Sequence, residues 1–140
     1  AYQIPCTLSD AATLALVLDK AMTKRVLRDC GIPTAPFAVV SRPEDIKDVK
    51  LGFPLFAKPI AEGSSKGVSR DSKITDAGQL DKVCRHLLQK FSQPVLVEEY
   101  LPGREFTVGM LGMGESARVL GMMEVKSGGG KEEVYSLEVK

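Results

Sequence analysis

Residues 54–67 read Pro54-Leu55-Phe56-Ala57-Lys58-Pro59-Ile60-Ala61-Glu62-Gly63-Ser64-Ser65-Lys66-Gly67. A short apolar run carries a single lysine, then breaks at Pro59 into a loop of Gly, Ser and Lys. Leu55, Phe56 and Ala57 predict a buried strand, with prolines at both ends, where no central ladder bond is called for. Strand alternation puts Phe56 and Lys58 on one face, so the ammonium leaves the sheet beside an aromatic ring. A lysine so placed requires a charge partner, because burying an unpaired ammonium is costly. In the loop that follows, Gly63 and Gly67 let backbone N–H groups turn inward around two hydroxyls and the Lys66 cation. Those parts describe a seat for a polyphosphate. A solvated glycine-serine turn is the plain alternative, and the loop by itself does not decide between them.

Two other glycine clusters are weaker. No Gly-x-x-x-x-Gly-Lys-Ser/Thr occurs, so the stretch is not a Walker loop. Ser127-Gly128-Gly129-Gly130-Lys131 has Val125 and Glu132 at the positions that motif needs. Gly112-x-Gly114-x-x-Ala117 resembles a dinucleotide fingerprint, but a strand pattern from Val119 to Val125 follows it, not a helix. It predicts a hairpin turn.

At 140 residues the chain is one domain's worth of material, able to bury a real core. Its 44% hydrophobic and 26% charged fractions are those of an ordinary soluble globular protein. A net charge of +1 supplies no basic field for nucleic acid and no acidic tail. No run approaches the roughly 20 apolar residues of a membrane span. Cys6, Cys30 and Cys84 are scattered and odd in number, and predict small core residues in a reducing cytosol. The chain carries no signal peptide and no initiator Met, which predicts a piece of something longer.

Read in order, Ser9 or Asp10 caps a helix through Ala11, Leu14, Val17 and Leu18. Asp19 is a fresh N-cap, with Lys20 in the first turn of a second helix that Gly31 and Pro33 stop. A cation at that end opposes the helix dipole, and an anion nearby would repair it; a solvated lysine is the alternative. Phe37 to Val40 is a short strand, followed by a short helix from Pro43. Val68 to Ile74 is expected as an edge strand. Asp76 with Gln79 forms a capping box, opening a helix with Leu80, Val83, Cys84, Leu87, Leu88 and Phe91 on its apolar stripe. His86 lies on the polar side. Val95 to Tyr100 is a buried strand with an acidic end, and Leu101-Pro102-Gly103 is a turn. Arg104 to Leu111, with Phe106, Val108 and Met110 on one face, pairs with Val119 to Val125. Ser127 to Glu133 is a flexible loop and Val134 to Lys140 an extended piece. Helices and strands alternate first and then give way to a meander, predicting two α+β subdomains that meet near Leu101.

An ordered set of segments now carries a resemblance. Asp19-Lys20, Gly31-Ile32-Pro33-Thr34, Gly52 to Pro59, Glu62-Gly63-Ser64-Ser65, Val97-Glu98-Glu99-Tyr100-Leu101 and Pro102 to Val108 are similar, in order and spacing, to the ATP-grasp core of D-alanine–D-alanine ligases. The resemblance implies an α+β ATP-grasp fold, incomplete in this chain, with two subdomains gripping a nucleotide. It implies a domain tail or linker helix over 1–18, the small subdomain over 19–100 and the start of the larger one over 101–140. Lys20 and Lys58 then correspond to the lysines on the ATP phosphates, and Glu62 to Gly67, with Gly63, Ser64 and Ser65, to the flexible phosphate loop. Ser64 falls where the ligases have a serine near the acceptor substrate. Glu98, Glu99, Tyr100 and Leu101 correspond to the strand that reads the adenine amino group, and Glu105 to the ribose carboxylate. Tyr135-x-x-Glu138-x-Lys140 is similar to a mobile segment ending in another phosphate-contacting lysine, so Ser64 and Lys140 are the implied catalytic residues. The implied chemistry is ATP-dependent joining of a carboxylate to an amine, with D-alanine as substrate, in peptidoglycan precursor synthesis in the cytoplasm. A homodimer of the full-length form is also implied.

Some of the family's pattern has no counterpart. Its metal-binding acids and the asparagine after them fall beyond Lys140, and the acid that holds the first D-alanine falls before Ala1. The Mg²⁺ ligands are therefore expected outside this chain, and the 140-residue piece alone is expected to be inactive. Another ATP-grasp amino-acid ligase would share the nucleotide residues. A non-catalytic nucleotide-binding or structural module is the alternative from a different class.

Overall fold

The computed structural model describes residues 7–125. Each helix begins where an acidic side chain can take up free backbone N–H groups. Asp10 accepts from the N–H of Ala12 and Thr13 at 2.9 and 3.0 Å, opening α1 (Ala11–Leu18). Asp19 breaks the helix, accepts from the Met22 N–H at 2.9 Å, and opens α2 (Lys20–Asp29). Gly31, at φ +74°, then turns the chain out of the helix.

Four strands form one antiparallel sheet: β1 (Phe37–Val40), β2 (Leu55–Pro59), β3 (Lys73–Ile74) and β4 (Val95–Glu99), in the order β1-β4-β2-β3. Pro59 sits at the end of β2, where it pairs only with Val95 and its missing N–H is not needed on the β3 side. α3 (Ala77–Phe91) and a 3₁₀ turn at Pro43–Asp48 cover one face of the sheet. Leu80, Cys84 and Leu87 of α3 pack there with Val40, Leu55, Ala57, Ile74, Val95 and Val97. On the other face Ala21 of α2 meets Leu96 and Ile60, flanked by Phe37 and Val39. Fully buried side chains such as Leu55, Leu96 and Val97 each stabilise the fold by about 1.5–3 kcal/mol, an upper figure. A separate hairpin follows, β5 (Glu105–Leu111) and β6 (Arg118–Val125), with a 3₁₀ turn at Gly114–Ser116 between its strands.

Three expectations need correction. Only Lys73 and Ile74 pair as an edge strand. Arg70–Ser72 instead forms a 3₁₀ turn, in which Ser72 Oγ accepts the Ser69 N–H at 3.1 Å. Serine hydroxyls compete with the ladder for backbone groups, and here they win. The Gln79 side chain accepts from the N–H of Thr75 at 2.9 Å, one residue ahead of the capping-box partner, while Asp76 caps as expected. Cys84 is buried but Cys30 is exposed, because it caps the C-terminus of α2 beyond the buried stripe. Burial pushes the Cys84 thiol up to about 12, with Asp81 adding to the shift. Cys6, the loop at 127–133, and the segment from Val134 to Lys140 lie outside the described residues.

Candidate functional site

The α2 face of the sheet carries the charges. Alternation along β2 buries Leu55, Ala57 and Pro59 and turns Phe56 and Lys58 the other way. In β4 the same alternation sends Glu98 to that face, opposite Phe56 on one neighbour and Phe37 on the other. Lys58 Nζ meets Glu98 Oε1 at 2.5 Å and stands 5.7 Å from the Phe56 ring centroid. The second oxygen of Glu98 is held by Lys24 of α2 at 2.7 Å. Lys24 also donates to the Thr34 hydroxyl at 2.6 Å. Burial alone would push the Glu98 carboxyl up; the two ammonium groups, Lys58 foremost, outweigh it and hold the carboxyl below its usual range.

Lys20 stands at the start of α2, one turn before Lys24. Its backbone N–H donates to the Ile60 carbonyl at 3.1 Å, and its Nζ to the carbonyls of Ile60, at 3.3 Å, and Glu62. Burial and the neighbouring Lys58 cation lower its pKa against the pull of Glu62, Asp19 and Glu98. A lysine whose partners are carbonyl dipoles and another cation favours an anion beside it.

The loop after β2 is built from residues in the left-handed region: Ser64 at φ +50°, Ser65 at +61° and Gly67 at +80°. A Cβ on Gly67 would lie 2.5 Å from the Pro59 ring, so only glycine lets the loop fold back on the strand. Gln93 fixes the loop's base, accepting from the Ala61 N–H at 2.8 Å and donating to Glu62 Oε1 at 2.9 Å. Glu62 reaches Lys66 at 3.0 Å. Chiefly through that contact, its carboxyl lies below the usual range.

Lys20, Lys58, Glu62, Gly63, Ser64, Ser65, Lys66 and Glu105 line one cavity of about 310 Å³ together with Phe56, Pro59 and Val68. Most of the residues singled out from sequence thus share a wall. Tyr100 stacks on Phe56 with ring centroids 6.3 Å apart, and Lys73 lies 4.8 Å from the Tyr100 centroid. Glu99 alternates to the α3 face, away from the cavity, and its N–H donates to the Pro36 carbonyl at 3.0 Å. The Tyr100 N–H is taken by Pro54 at 3.0 Å. Leu101 is exposed, and Lys140 lies outside the described residues. Sequence reasoning missed Lys24 and Gln93. Lys24 had a signal, since four residues after Lys20 on a helix is the same face. Gln93 had none. Among the described residues, no group of three or more His, Cys, Asp or Glu is placed to hold a metal ion.

The family model described as D-ala D-ala ligase C-terminus matches residues 26–140. The chain belongs to that family. The D-alanine–D-alanine ligase of Bordetella pertussis is 38% identical over 129 residues, covering 91% of this chain and 40% of that protein. The ligase of Aromatoleum aromaticum is 38% identical over 131 residues, 92% of this chain and 40% of its own length. The chain therefore spans about two fifths of the curated relatives it matches. Among solved structures, D-alanyl-alanine synthetase A of Vibrio cholerae aligns with a TM-score of 0.68 at 25% identity, over 84% of this chain and 36% of that one. The L-amino acid ligase of Bacillus licheniformis aligns at 0.61 with 22% identity, over 79% and 24%. The architecture is part of an ATP-grasp fold. Among the described residues no helix is long and apolar enough to cross a membrane.

Proposed function

We propose that this chain is the nucleotide-gripping portion of an ATP-dependent carboxylate–amine ligase of the D-alanine–D-alanine ligase type, which joins D-alanine in the cytoplasm for peptidoglycan precursor synthesis. The observation that carries the reading is the single cavity lined by Lys20, Lys58, the Ser64–Ser65 turn and Glu105. Triphosphate calls for cations and amide donors, which the lysines and the left-handed loop supply. A ribose diol calls for a carboxylate acceptor, the role of Glu105. The backbone carbonyls from Glu98 to Leu101 would take the adenine amino group, since both Glu98 carboxylate oxygens are held by lysines, with Tyr100 and Leu101 beside the base. Ser64 would stand near the acceptor amino acid, and Lys140 would add a further phosphate contact. On this reading, residues 19–100 form the small subdomain, 101–140 begin the larger, and 1–18 lead in from the preceding part. A homodimer of the full-length form belongs to the same proposal.

In such a ligase ATP phosphorylates a carboxylate and an amine attacks the acyl phosphate. The residues here would orient the phosphates and offset their charge, which is the larger part of catalysis in phosphoryl transfer. Mg²⁺ normally accompanies that charge. The described residues do not fit a site for it, and its ligands are expected elsewhere in the full-length protein.

The cavity's lysines and serine loop would grip ATP whichever amino acid is joined, so a second reading is an ATP-grasp ligase with a different amino acid. Titrating a fluorescent ATP analogue into the chain and into Lys58→Ala tests the nucleotide assignment. Loss of one charge-assisted phosphate contact is expected to cost about 1.5–3 kcal/mol. Equal binding by both proteins sinks the assignment. Phosphate release with D-alanine against other amino acids, measured on the gene's full-length product, separates the two substrate readings.

A further inference from the structure

We propose that Lys24 is a positioning residue of the nucleotide site: by sharing the Glu98 carboxylate with Lys58, it leaves the Lys58 ammonium with charge to spare for a bound polyphosphate. The inference rests on the nucleotide reading above and adds to it a residue outside the cavity wall. Lys58 lines the cavity; Lys24 does not. One carboxylate serves two ammonium groups, Oε1 to Lys58 at 2.5 Å and Oε2 to Lys24 at 2.7 Å. The cluster of three side chains therefore carries net +1, whereas Lys58 and Glu98 alone would cancel. Lys24 is locked in that role. Its side chain is 11% exposed, its ammonium is anchored by Thr34 at 2.6 Å, and the Phe37 ring centroid lies 5.5 Å from it. A lysine so constrained cannot swing into the cavity, so its influence on a ligand passes through Glu98. The downward shift of the Glu98 carboxyl, which Lys24 and Lys58 produce together, agrees with a shared anion.

Calorimetric titration of the 140-residue chain separates charge from base recognition, using tripolyphosphate and adenosine as probes. Lys24→Met is expected to weaken tripolyphosphate about threefold to tenfold, the size of one nearby charge in a partly screened site. Adenosine should change less than about twofold, and Lys24→Arg, which keeps the positive charge, should restore tripolyphosphate binding. Unchanged tripolyphosphate affinity in a folded Lys24→Met overturns the proposal, and so does an equal loss of both probes. If Lys24→Met does not fold, Thr34→Val removes the anchor and keeps every charge; it should weaken tripolyphosphate alone, and no change there counts against the role. Carbon-13 NMR titration of the Glu98 carboxyl needs no nucleotide. Its pKa should rise in Lys24→Met and, to a smaller extent, in Thr34→Val; an unmoved pKa overturns the proposal. Should the unaltered chain bind neither probe, the nucleotide reading fails, while the carboxyl titration still decides whether Lys24 and Lys58 share the anion.

Discussion

β2 pairs with β4 from Leu55 against Glu99 to Pro59 against Val95, and β5 pairs with β6 from Glu105 against Val125 to Leu111 against Arg118. Both ladders are antiparallel, the second with a register shift between Gly109 and Met110, and both contain alternating apolar positions. Their surroundings differ. Leu55, Ala57, Val95 and Val97 are fully buried against α3, whereas Phe106, Val108, Met110 and Met122 are 48, 45, 63 and 74% exposed. Backbone pairing sets where a strand lies, and burial sets what it contributes to stability. The charged half of the candidate site, Lys58 and Glu98 on the sheet and Lys20 on α2 against it, hangs on the packed core. Glu105 stands at the start of the exposed hairpin. The phosphate end is thus held by the core, and the proposed ribose carboxylate is held only by a ladder.

The largest expected effect breaks the packed side of this contrast. Leu55→Ala removes a fully buried side chain between β4, β3 and α3 and should cost about 2–5 kcal/mol in urea unfolding. Val108→Ala, in the hairpin, should stay within about 0.5 kcal/mol. Similar losses in the two variants would mean that the hairpin's face is covered in solution.

A second, intermediate effect comes from acid. The Glu98 carboxyl is held below its ordinary value of 4.5 in the folded protein, with burial opposing and Lys58 and Lys24 prevailing. Its contribution to stability is therefore complete above the ordinary carboxylate range and is lost as pH falls through the depressed value. Unfolding midpoints followed from pH 7 downward should decline more steeply in the unaltered chain than in Glu98→Gln. Parallel declines would show that Glu98 is not the group responsible.

The contrast also explains what could be read from sequence. Helix starts were legible because Asp10 and Asp19 are short-range signals, and β2 because Phe56 and Lys58 alternate against Leu55 and Ala57. The gathering of Lys20, Lys58 and the serine loop followed from the family's pattern, and the cavity brings them together. Glu98 and Glu99 read alike as the acidic end of one strand, and only the pleat tells them apart. Alternation over Val68 to Ile74 implies a longer strand than forms, because Ser69 and Ser72 close a turn through a hydroxyl, which alternation does not encode. Gln93 was invisible: its two hydrogen bonds reach Ala61 and Glu62 across more than thirty residues of chain. Nor does alternation say that Phe106 and Val108 go uncovered, since a strand pattern names a face and not what lies against it.

The smallest effect expected concerns two ion pairs that look alike on paper. Arg104 reaches Glu124 with two parallel contacts, Nε to Oε1 at 2.7 Å and an η nitrogen to Oε2 at 3.1 Å, across the hairpin. Lys24 reaches Glu98 with one contact at 2.7 Å. Geometry alone would rank the arginine pair higher, since bidentate contacts are the stronger kind. Exposure reverses the ranking. Arg104 is 70% exposed, and water and salt screen a pair placed there, whereas the side chains of Lys24 and Glu98 are 11 and 14% exposed. The Arg104 cation also rests 4.7 Å from the Phe106 ring centroid, so its removal uncovers apolar surface that is already half in water. A double-mutant cycle on Arg104→Gln and Glu124→Gln should therefore give a coupling indistinguishable from zero at 150 mM salt. The corresponding cycle on Lys24→Met and Glu98→Gln should give a clear one, because each single variant leaves a partly buried charge short of a partner. A hairpin coupling as large as the sheet coupling would place Arg104 and Glu124 in a drier setting than their exposure implies. The two ladders would then differ less in burial than the chain's own contacts indicate.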